Sequence, residues 1–398
     1  MRCSATDGRP ALLPRDNLDA VLGRPTVGLG SSRVGFGAVS SDPRPACLIT
    51  GTVSPYRREP FRLLCEAEDV KVLAFEGTGP PLAGLRAEQV TQAHAVRLVL
   101  SGRYRAVVCG VGGRIALPGS YAAARLRGIP FVLWATIWEH PRTLAHRLSW
   151  PAMRHVYRHA DAVATYGEHV SRYVARYRDD TGSVLVAPQA VDVTHFAAAQ
   201  DDDRVAWARE RAGAKPGDLL VLFVGRLEQE KGIDVLLAAW RQADLGPRAQ
   251  LALAGSGPLG AEAADRGGGV RSLGYVAEFD LPALYAGADV LVLPSVATAT
   301  FREPWGLVVN EAMLQRTPVI ASDAVGAAAG GLVAHGRTGM VFPAADSAAL
   351  AECLTEMAAS GEARQAMGDA ALQSASELAP AAWAAGMRAA LAAAGAGR

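Results

Sequence analysis

The chain has 398 residues, of which half are hydrophobic and a fifth are charged, and its formal net charge is +1. At roughly 100–200 residues per domain, this length predicts two domains, each with its own core. The near-zero charge argues against nucleic acid as a partner. The five cysteines form neither a metal-ligand spacing nor a disulfide framework, which favours a cytoplasmic protein. No apolar run reaches the roughly 18 residues of a membrane-spanning helix.

The N-terminal residues 1–45 are rich in Gly, Pro, Ser and Arg and show no periodicity, so we expect a disordered extension. From residue 46 onwards, short apolar runs alternate with longer amphipathic segments, which predicts parallel strands joined by helical crossovers. The strands expected in the first half are 46–50, 71–75, 106–109, 131–135, 162–165 and 184–187. Helices are expected at 120–127 and 144–159.

The composition changes at 197–203, which we interpret as a linker, and the alternation then restarts. The second set of expected strands is 219–224, 250–254, 270–273, 290–293, 319–321 and 340–342, with helices at 234–240, 350–357 and 380–394. These patterns predict an N-terminal domain at 46–197, a C-terminal domain at 204–375 and a final helical segment, 376–398, that could pack back on the first domain. Two open sheets of this kind bind ligands at their carboxyl ends, in a cleft between the domains.

Two cations follow the first strand of the second domain. Arg226 comes directly after Gly225, and Lys231 lies five residues further on. A guanidinium and an ammonium at the carboxyl end of a strand suit a diphosphate. The alternative is a charged surface loop, since loops are commonly charged.

Two carboxylates, Glu303 and Glu311, lie eight residues apart around Pro304 and Gly306. Proline suits the first turn of a helix, and the free amides of such a turn favour an anion. We therefore expect a helix that starts at Pro304, with one carboxylate at its N-terminus and the other two turns further along. Carboxylates accept hydrogen bonds from vicinal diols, so this pair could hold hydroxyls of a nucleotide sugar. A capping Glu and a solvated helical Glu are the alternative.

A glycine pattern, G-x-G-x-x-G, runs from Gly255 to Gly260 after a predicted strand. It resembles the dinucleotide fingerprint and keeps an NAD-dependent oxidoreductase open as an alternative. However, Pro258 stiffens the loop and the strand is the second of its domain, so a tight turn beside the cleft fits equally well.

Polar residues also follow the apolar strand 131–135. Glu139 and His140 should therefore face the cleft, although a lone histidine is more often structural. The stretch 150–159 is basic and aromatic, so it could make peripheral contact with a membrane surface. We nevertheless expect a solvated helix face there.

Taken together, the C-terminal motifs resemble the retaining glycosyltransferases of family four, which have the GT-B fold. The resemblance covers about 215–345 in order. It is carried by Gly225-Arg226-Leu227 with Lys231-Gly232, Gly255-x-Gly257-Pro258, Gly274-Tyr275, Ala288-Asp289 with Pro294-Ser295, the run from Glu303 to Met313, Pro318-Val319-Ile320 and Ser322-Asp323-x-x-Gly326. The N-terminal half matches more loosely, through its strand–helix rhythm and Tyr166-Gly167.

This resemblance implies an α/β fold in which two Rossmann-like domains face each other across a deep cleft. It implies metal-independent transfer of a sugar from a nucleoside-diphosphate sugar, the donor, to a hydroxyl acceptor, with retention of anomeric configuration and without a cofactor. By resemblance, Arg226 and Lys231 neutralise the diphosphate, Glu303 contacts the transferred sugar and Glu311 holds the ribose. The backbone near Gly274 and Tyr275 flanks the base, and the amides near Gly306 and Leu307 assist the phosphates. His140 takes the place of the family's N-terminal cleft histidine.

The N-terminal half departs from the family in the turn after its first strand. In place of a Gly-rich turn it has 52–58, which includes Arg57, a residue we expect to serve the acceptor. A catalytically silent sugar-nucleotide-binding partner of another transferase is the remaining alternative.

Overall fold

The computed structural model describes residues 42–80, 83–260 and 268–396. The predicted disordered extension, 1–45, therefore falls almost entirely outside the described residues. None of the helices in these ranges combines the length and the hydropathy needed to cross a bilayer.

In the first domain, the described residues form a seven-stranded parallel sheet in the order β3-β2-β1-β4-β5-β6-β7. Its strands are β1 (Ala46–Thr52), β2 (Val70–Gly77), β3 (Ala87–Gln89), β4 (Ala106–Gly110), β5 (Phe131–Ala135), β6 (Ala162–Thr165) and β7 (Val184–Val186). The helices are α1 (Arg58–Glu68), α2 (Gln92–Leu100), α3 (Ala116–Arg127), α4 (Leu144–His159), α5 (Glu168–Ala175) and α6 (Val193–Phe196). β5 and β6 are buried throughout, as expected for a parallel sheet covered on both faces.

The second domain repeats this plan with a six-stranded parallel sheet in the order β10-β9-β8-β11-β12-β13, as far as the structure describes it. Its strands are β8 (Leu219–Val224), β9 (Ala249–Ala254), β10 (Val270–Gly274), β11 (Val290–Leu293), β12 (Val319–Ser322) and β13 (Gly339–Phe342). The helices that follow β7 and α6 are α7 (Asp202–Ala212), α8 (Ile233–Ala243), α9 (Leu281–Gly287), α10 (Leu307–Leu314), α11 (Gly326–Ala329), α12 (Ser347–Ala359), α13 (Gly361–Ser376) and α14 (Pro380–Ala396).

The order of the second sheet reverses between β8 and β11, and that of the first between β1 and β4. Such a reversal is a topological switch point, where the loops at the carboxyl ends of two neighbouring strands diverge and leave a crevice for a ligand. The predicted fold, two Rossmann-like α/β domains, is confirmed.

The last helix, α14, leaves the second domain and packs on the first, against α1 and against β5, β6 and β7. Trp383 of this helix is buried, and its ring centroid lies 5.2 Å from that of Phe61 and 5.5 Å from that of Trp134. Gly386 lets the helix approach β7, because a Cβ there would lie 2.1 Å from the carbonyl oxygen of Val186.

Three local expectations were incomplete or wrong. β3 was not predicted from the sequence. The helix expected to start at Pro304 starts at Leu307 instead, because Gly306 has a φ of 92° and occupies the N-cap position. Pro304 therefore lies in the preceding loop, not in a first helical turn. The segment 197–203, interpreted as a linker, already contains the start of α7 at Asp202, capped by the side chain of Asp201.

Candidate active site

The loop at the carboxyl end of β8 carries both predicted cations. Arg226 is 58% exposed, and its guanidinium donates to the carboxylates of Glu228 and Glu230 in the same loop. Lys231 ends a short 3-10 turn, Gln229–Lys231. The two cations thus share one loop at the switch point, but in this structure Arg226 is occupied by its own neighbours.

Lys231 makes the central contact of the site, an ion pair with Glu303. Its side chain is 14% exposed and that of Glu303 is 9% exposed, so the pair is nearly buried. The hydroxyl of Ser295, in the loop after β11, donates to the same carboxylate oxygen over 3.0 Å. The loops that follow β8 and β11 therefore meet at Glu303, on the two sides of the switch point.

Helix α10 starts beside this cluster, at Gly306 and Leu307. The left-handed conformation of Gly306 turns the chain into the helix, and a Cβ there would lie 2.6 Å from a methyl carbon of Leu293. The first amides of a helix have no intrahelical acceptor, so they and the helix dipole favour an anion at this end.

Glu311 lies one turn further along α10 and accepts a hydrogen bond of 2.6 Å from the hydroxyl of Tyr285. Burial raises the pKa of Glu311 to about 7, although the bond from Tyr285 opposes the shift and Glu278 adds to it. Near neutral pH this group is therefore present both as the ionised carboxylate, which only accepts hydrogen bonds, and as the protonated acid.

Gly274 and Tyr275 lie at the carboxyl end of β10, the edge strand of the second sheet. The carbonyl of Gly274 accepts from the amide of Gly255 over 2.8 Å, and Gly274 has a φ of 64°. The ring of Tyr275 is 77% exposed, which leaves an aromatic face open at this edge.

The glycine pattern of 255–260 packs directly against the Arg226 loop. A Cβ on Gly255 would lie 1.8 Å from the carbonyl oxygen of Gly225, and one on Gly257 would lie 2.4 Å from that of Leu227. The amide of Leu227 also donates to the carbonyl of Ser256 over 2.9 Å. The contact between the two loops is therefore enough to require glycine at both positions.

The first domain touches the segment around Glu303 through three side chains. The indole of Trp138 donates to the carbonyl of Glu303 over 3.0 Å. Nε2 of His169 lies 3.0 Å from the carbonyl oxygen of Pro304, and burial lowers the pKa of this histidine to about 4. Glu139 forms an ion pair of 2.9 Å with Arg302. The backbone that carries Glu303 is thus held from the first domain while its carboxylate faces Lys231.

His140 lies near these contacts, but its imidazole is turned towards α4. Its Nε2 is 3.0 Å from the carbonyl oxygen of His146, and its ring centroid lies 4.6 Å from that of Trp150. Its Nδ1 is buried without a hydrogen-bond partner among the described residues. In this structure no described contact joins His140 to Glu303, Lys231 or Arg226.

Arg57 lies in the turn after β1, where it donates to the hydroxyl of Tyr166 over 2.7 Å and stacks on Trp134 at 4.7 Å from the ring centroid. It forms part of the first domain's surface at the carboxyl ends of its central strands.

Comparison with known proteins shows what the second domain is similar to. Residues 207–374, which include all the site residues of the second domain, match the family described as glycosyl transferases group 1. The prediction of a glycosyltransferase is thereby confirmed.

The chain is 27% identical to alpha-D-kanosaminyltransferase of Streptomyces kanamyceticus over 292 residues, which are 69% of this chain and 72% of that protein. It is 34% identical to D-inositol 3-phosphate glycosyltransferase of Salinispora arenicola over 205 residues, 46% and 44% of the two chains. Its match thus spans less than half the length of the latter. In fold, it resembles Anabaena HepE in complex with UDP, with a TM-score of 0.68, 20% identity and coverage of 86% and 98% of the two chains.

Sequence reasoning missed several residues that hold the site. Ser295 was quoted only as part of a motif, and Tyr285 carried no signal, because its bond to Glu311 joins residues 26 positions apart. Trp138 contacts Glu303 across 165 positions, which no local pattern could have indicated.

Proposed function

We propose that the protein moves a sugar from a nucleoside-diphosphate sugar to a hydroxyl acceptor, with retention of anomeric configuration and without a metal. The observation that carries the proposal is the cluster of Lys231, Glu303 and Ser295 at the switch point between β8 and β11, with Arg226 and the start of α10 beside it. It combines cations for a diphosphate with a fixed carboxylate for hydroxyl groups.

The chemical task is to stabilise the charge that develops on the leaving diphosphate. Lys231 has three donors and uses one on Glu303, so it can serve a phosphate oxygen without leaving the carboxylate. Arg226 would exchange Glu228 and Glu230 for the phosphate. One preorganised donor of this kind contributes roughly 3–4 kcal/mol to transition-state stabilisation.

The rest of the donor fits the second domain. Glu303, fixed by Lys231 and Ser295, would accept from hydroxyls of the transferred sugar, and Glu311 from those of the ribose. The exposed ring of Tyr275 and the backbone of Gly274 would flank the base. The Anabaena protein of similar fold was solved with UDP, which makes a uridine nucleotide the first donor to test.

The acceptor would enter from the first domain, where Arg57 and His140 lie at the carboxyl ends of the strands. The names of the relatives place kanosaminyl transfer and D-inositol 3-phosphate among the reactions of similar proteins. A small polyol or glycan hydroxyl is the class these names suggest.

A panel of nucleotide sugars tests the proposal. A donor that binds only the native protein raises its melting temperature, by an amount that grows with ligand concentration. The selected donor is then incubated with hydroxyl acceptors, and the anomeric configuration of the product is read by NMR. No melting shift with any nucleotide sugar would contradict the proposal, and an inverted product would contradict retention.

Two alternatives give different results in the same experiments. An NAD-dependent oxidoreductase would respond to NADH rather than to sugar nucleotides. The packing of Gly255 and Gly257 against the Arg226 loop disfavours it, because it explains these glycines without a dinucleotide. A silent binding partner of another transferase would bind donor but neither transfer nor hydrolyse it.

A further inference from the structure

A groove of about 1160 Å³ lies between the two domains, beside the site described above. Five arginines line it: Arg142, Arg147, Arg172 and Arg176 from the first domain and Arg302 from the second. Among the described residues, the carboxylates that line it are those of Glu139 and Asp323. Because the whole chain has a net charge of only +1, the positive charge of this groove is a local feature.

The pairing within the groove leaves several guanidinium groups unneutralised. Glu139 is shared by Arg142 and Arg302, and these contacts lower its pKa even though burial opposes them. Arg172 donates to the carbonyl of Ala329 over 2.6 Å rather than to an acid. Within the part of the chain that the structure describes, Arg147 and Arg176 have no acidic partner. Clustered charge of one sign in a cleft concentrates counter-ions there.

The groove adjoins the proposed donor site at Glu303, whose neighbours Trp138 and Arg302 line the groove. The carboxylate of Glu303 faces Lys231 and Ser295, whereas its carbonyl accepts from Trp138, which lines the groove. Arg302, the preceding residue, lies over the Trp138 ring at 3.7 Å from its centroid. A molecule held in the groove would therefore be a neighbour of the sugar that Glu303 holds.

Part of the groove lining is aromatic. Trp150 lies with its ring centroid 5.0 Å from that of Tyr177, and both residues line the groove together with Arg147 and Arg176. Aromatic surface beside guanidinium groups suits a molecule with a carbon ring and an anionic substituent.

We propose that this arginine groove binds the phosphate group of the acceptor, so that the acceptor substrate is a phosphorylated hydroxyl compound. The inference rests on the proposed transfer function. A donor diphosphate is the weaker candidate for the groove, because Arg226, Lys231 and the start of α10 already offer that group a place. The four first-domain arginines and Arg302 of the second domain would close on the phosphate from both sides.

Binding of glucose 6-phosphate, with glucose as the uncharged reference, tests the groove by titration calorimetry. The variant Arg147→Gln/Arg176→Gln is compared with Arg154→Gln, an exposed arginine on the same helix, α4, that does not line the groove. Loss of charge-assisted hydrogen bonds predicts at least a tenfold weaker affinity in the double variant. Wild type and Arg154→Gln should bind alike, and glucose should bind at least tenfold more weakly than its phosphate.

A parallel arm asks whether the phosphate is presented by a lipid. Vesicles of phosphatidylcholine with one fifth phosphatidic acid are sedimented with each variant, against pure phosphatidylcholine. Binding of either probe that is lost in the double variant alone supports the proposal, and the probe that binds identifies the source. Equal binding by the double variant and wild type overturns it, as does equal loss in Arg154→Gln. Tighter binding of a single-stranded oligonucleotide than of both phosphate probes also overturns it.

Binding at the proposed donor site is measured separately from binding in the groove. Arg226→Ala should lose affinity for the donor selected above and keep glucose 6-phosphate binding, whereas the double variant should show the reverse. The wild-type protein could bind no nucleotide sugar and still bind glucose 6-phosphate or the phosphatidic acid vesicles through the groove. That result would contradict the proposed transfer function but would support the anion site in the groove.

Discussion

The side chains of Lys231 and Arg226 differ in how far they are buried. Lys231 forms a nearly buried pair with Glu303, whereas the side chain of Arg226 is 58% exposed and pairs with Glu228 and Glu230 on the surface. Removing one member of a buried pair leaves the other charge uncompensated, but exposed pairs contribute little to stability. The two residues can therefore share a role in catalysis and still differ in their structural effect.

Both Lys231→Ala and Arg226→Ala should lower turnover of the donor by roughly 10²–10³-fold, because each removes a donor to the leaving diphosphate. Only Lys231→Ala should also lower the free energy of unfolding, by about 3–5 kcal/mol. Turnover and urea denaturation are measured for both variants, with the exposed Lys215→Ala as control. Near-normal turnover in both variants would remove these residues from the mechanism.

The raised pKa of Glu311 makes donor affinity depend on pH. In the proposed donor complex the ionised carboxylate would accept from both ribose hydroxyls, but at a pH below its pKa of about 7 the free protein carries a proton there. Proton and ribose then compete, so affinity for a nucleotide sugar should fall by up to roughly tenfold per pH unit below 7 and level off above 8.

The matched variant is Glu311→Gln, which cannot ionise. Its affinity should be weaker than that of wild type at pH 8 and nearly constant between pH 6 and 8. A flat wild-type profile over this range would show that Glu311 does not titrate against the donor.

At the scale of elements, α10 and α11 place Glu303 through backbone contacts. The amide of Gly326, the first residue of α11, donates to the carbonyl of Glu303 over 3.1 Å. A Cβ on Gly326 would lie 2.0 Å from the carbonyl oxygen of Pro304. The position of Glu303 thus depends on a glycine 23 residues away.

Gly326→Ala should displace the segment that carries Glu303 and Pro304, because backbone cannot yield as a flexible side chain does. We expect weaker donor binding and a loss of about 1–3 kcal/mol in the free energy of unfolding. Gly395→Ala is the control, since a Cβ there meets nothing within 4 Å. Thermal melting with and without donor reports both effects, and an unchanged donor-induced shift would refute the coupling.

The elements also show what a sequence can and cannot predict. β5 and β6 were predicted with their observed bounds, because each is a short apolar run that ends in polar residues. β3 was missed because its three residues, Ala-Glu-Gln, carry no apolar pattern and pair only with β2. The start of α10 was misplaced because a proline suggests a first turn, whereas the left-handed Gly306 decides where the helix begins.

The site was predictable where its residues follow strands and unpredictable where they meet across the chain. Arg226 and Lys231 could be placed at the carboxyl end of β8 by position alone. The Lys231–Glu303 pair joins residues 72 positions apart, and the Arg302–Glu139 pair joins residues 163 apart. The first contact depends on how the loops of the second sheet meet and the second on how the two domains lie together, and no local pattern encodes either.

At the scale of the whole molecule, α14 joins the end of the chain to the first domain. Trp383 is 2% exposed and packs between Phe61 and Trp134. Trp383→Ala should lower the free energy of unfolding by about 3–5 kcal/mol, as large aromatic truncations in a core do. Leu126→Ala, at a residue 79% exposed, is the control. Urea denaturation followed by circular dichroism measures both, and equal midpoints would mean that α14 does not stabilise the first domain.

The return of α14 also restricts how the domains can move. The chain crosses from the first domain to the second between Val186 and Asp202 and crosses back between Ser376 and Pro380. Two domains that are joined by two separate chain segments can rotate about the line through those segments. They cannot rotate freely about a single connection. Opening to admit substrates and shutting over them should therefore be one rotation about a fixed axis, which returns Trp138 and Arg302 to the same positions in every catalytic cycle.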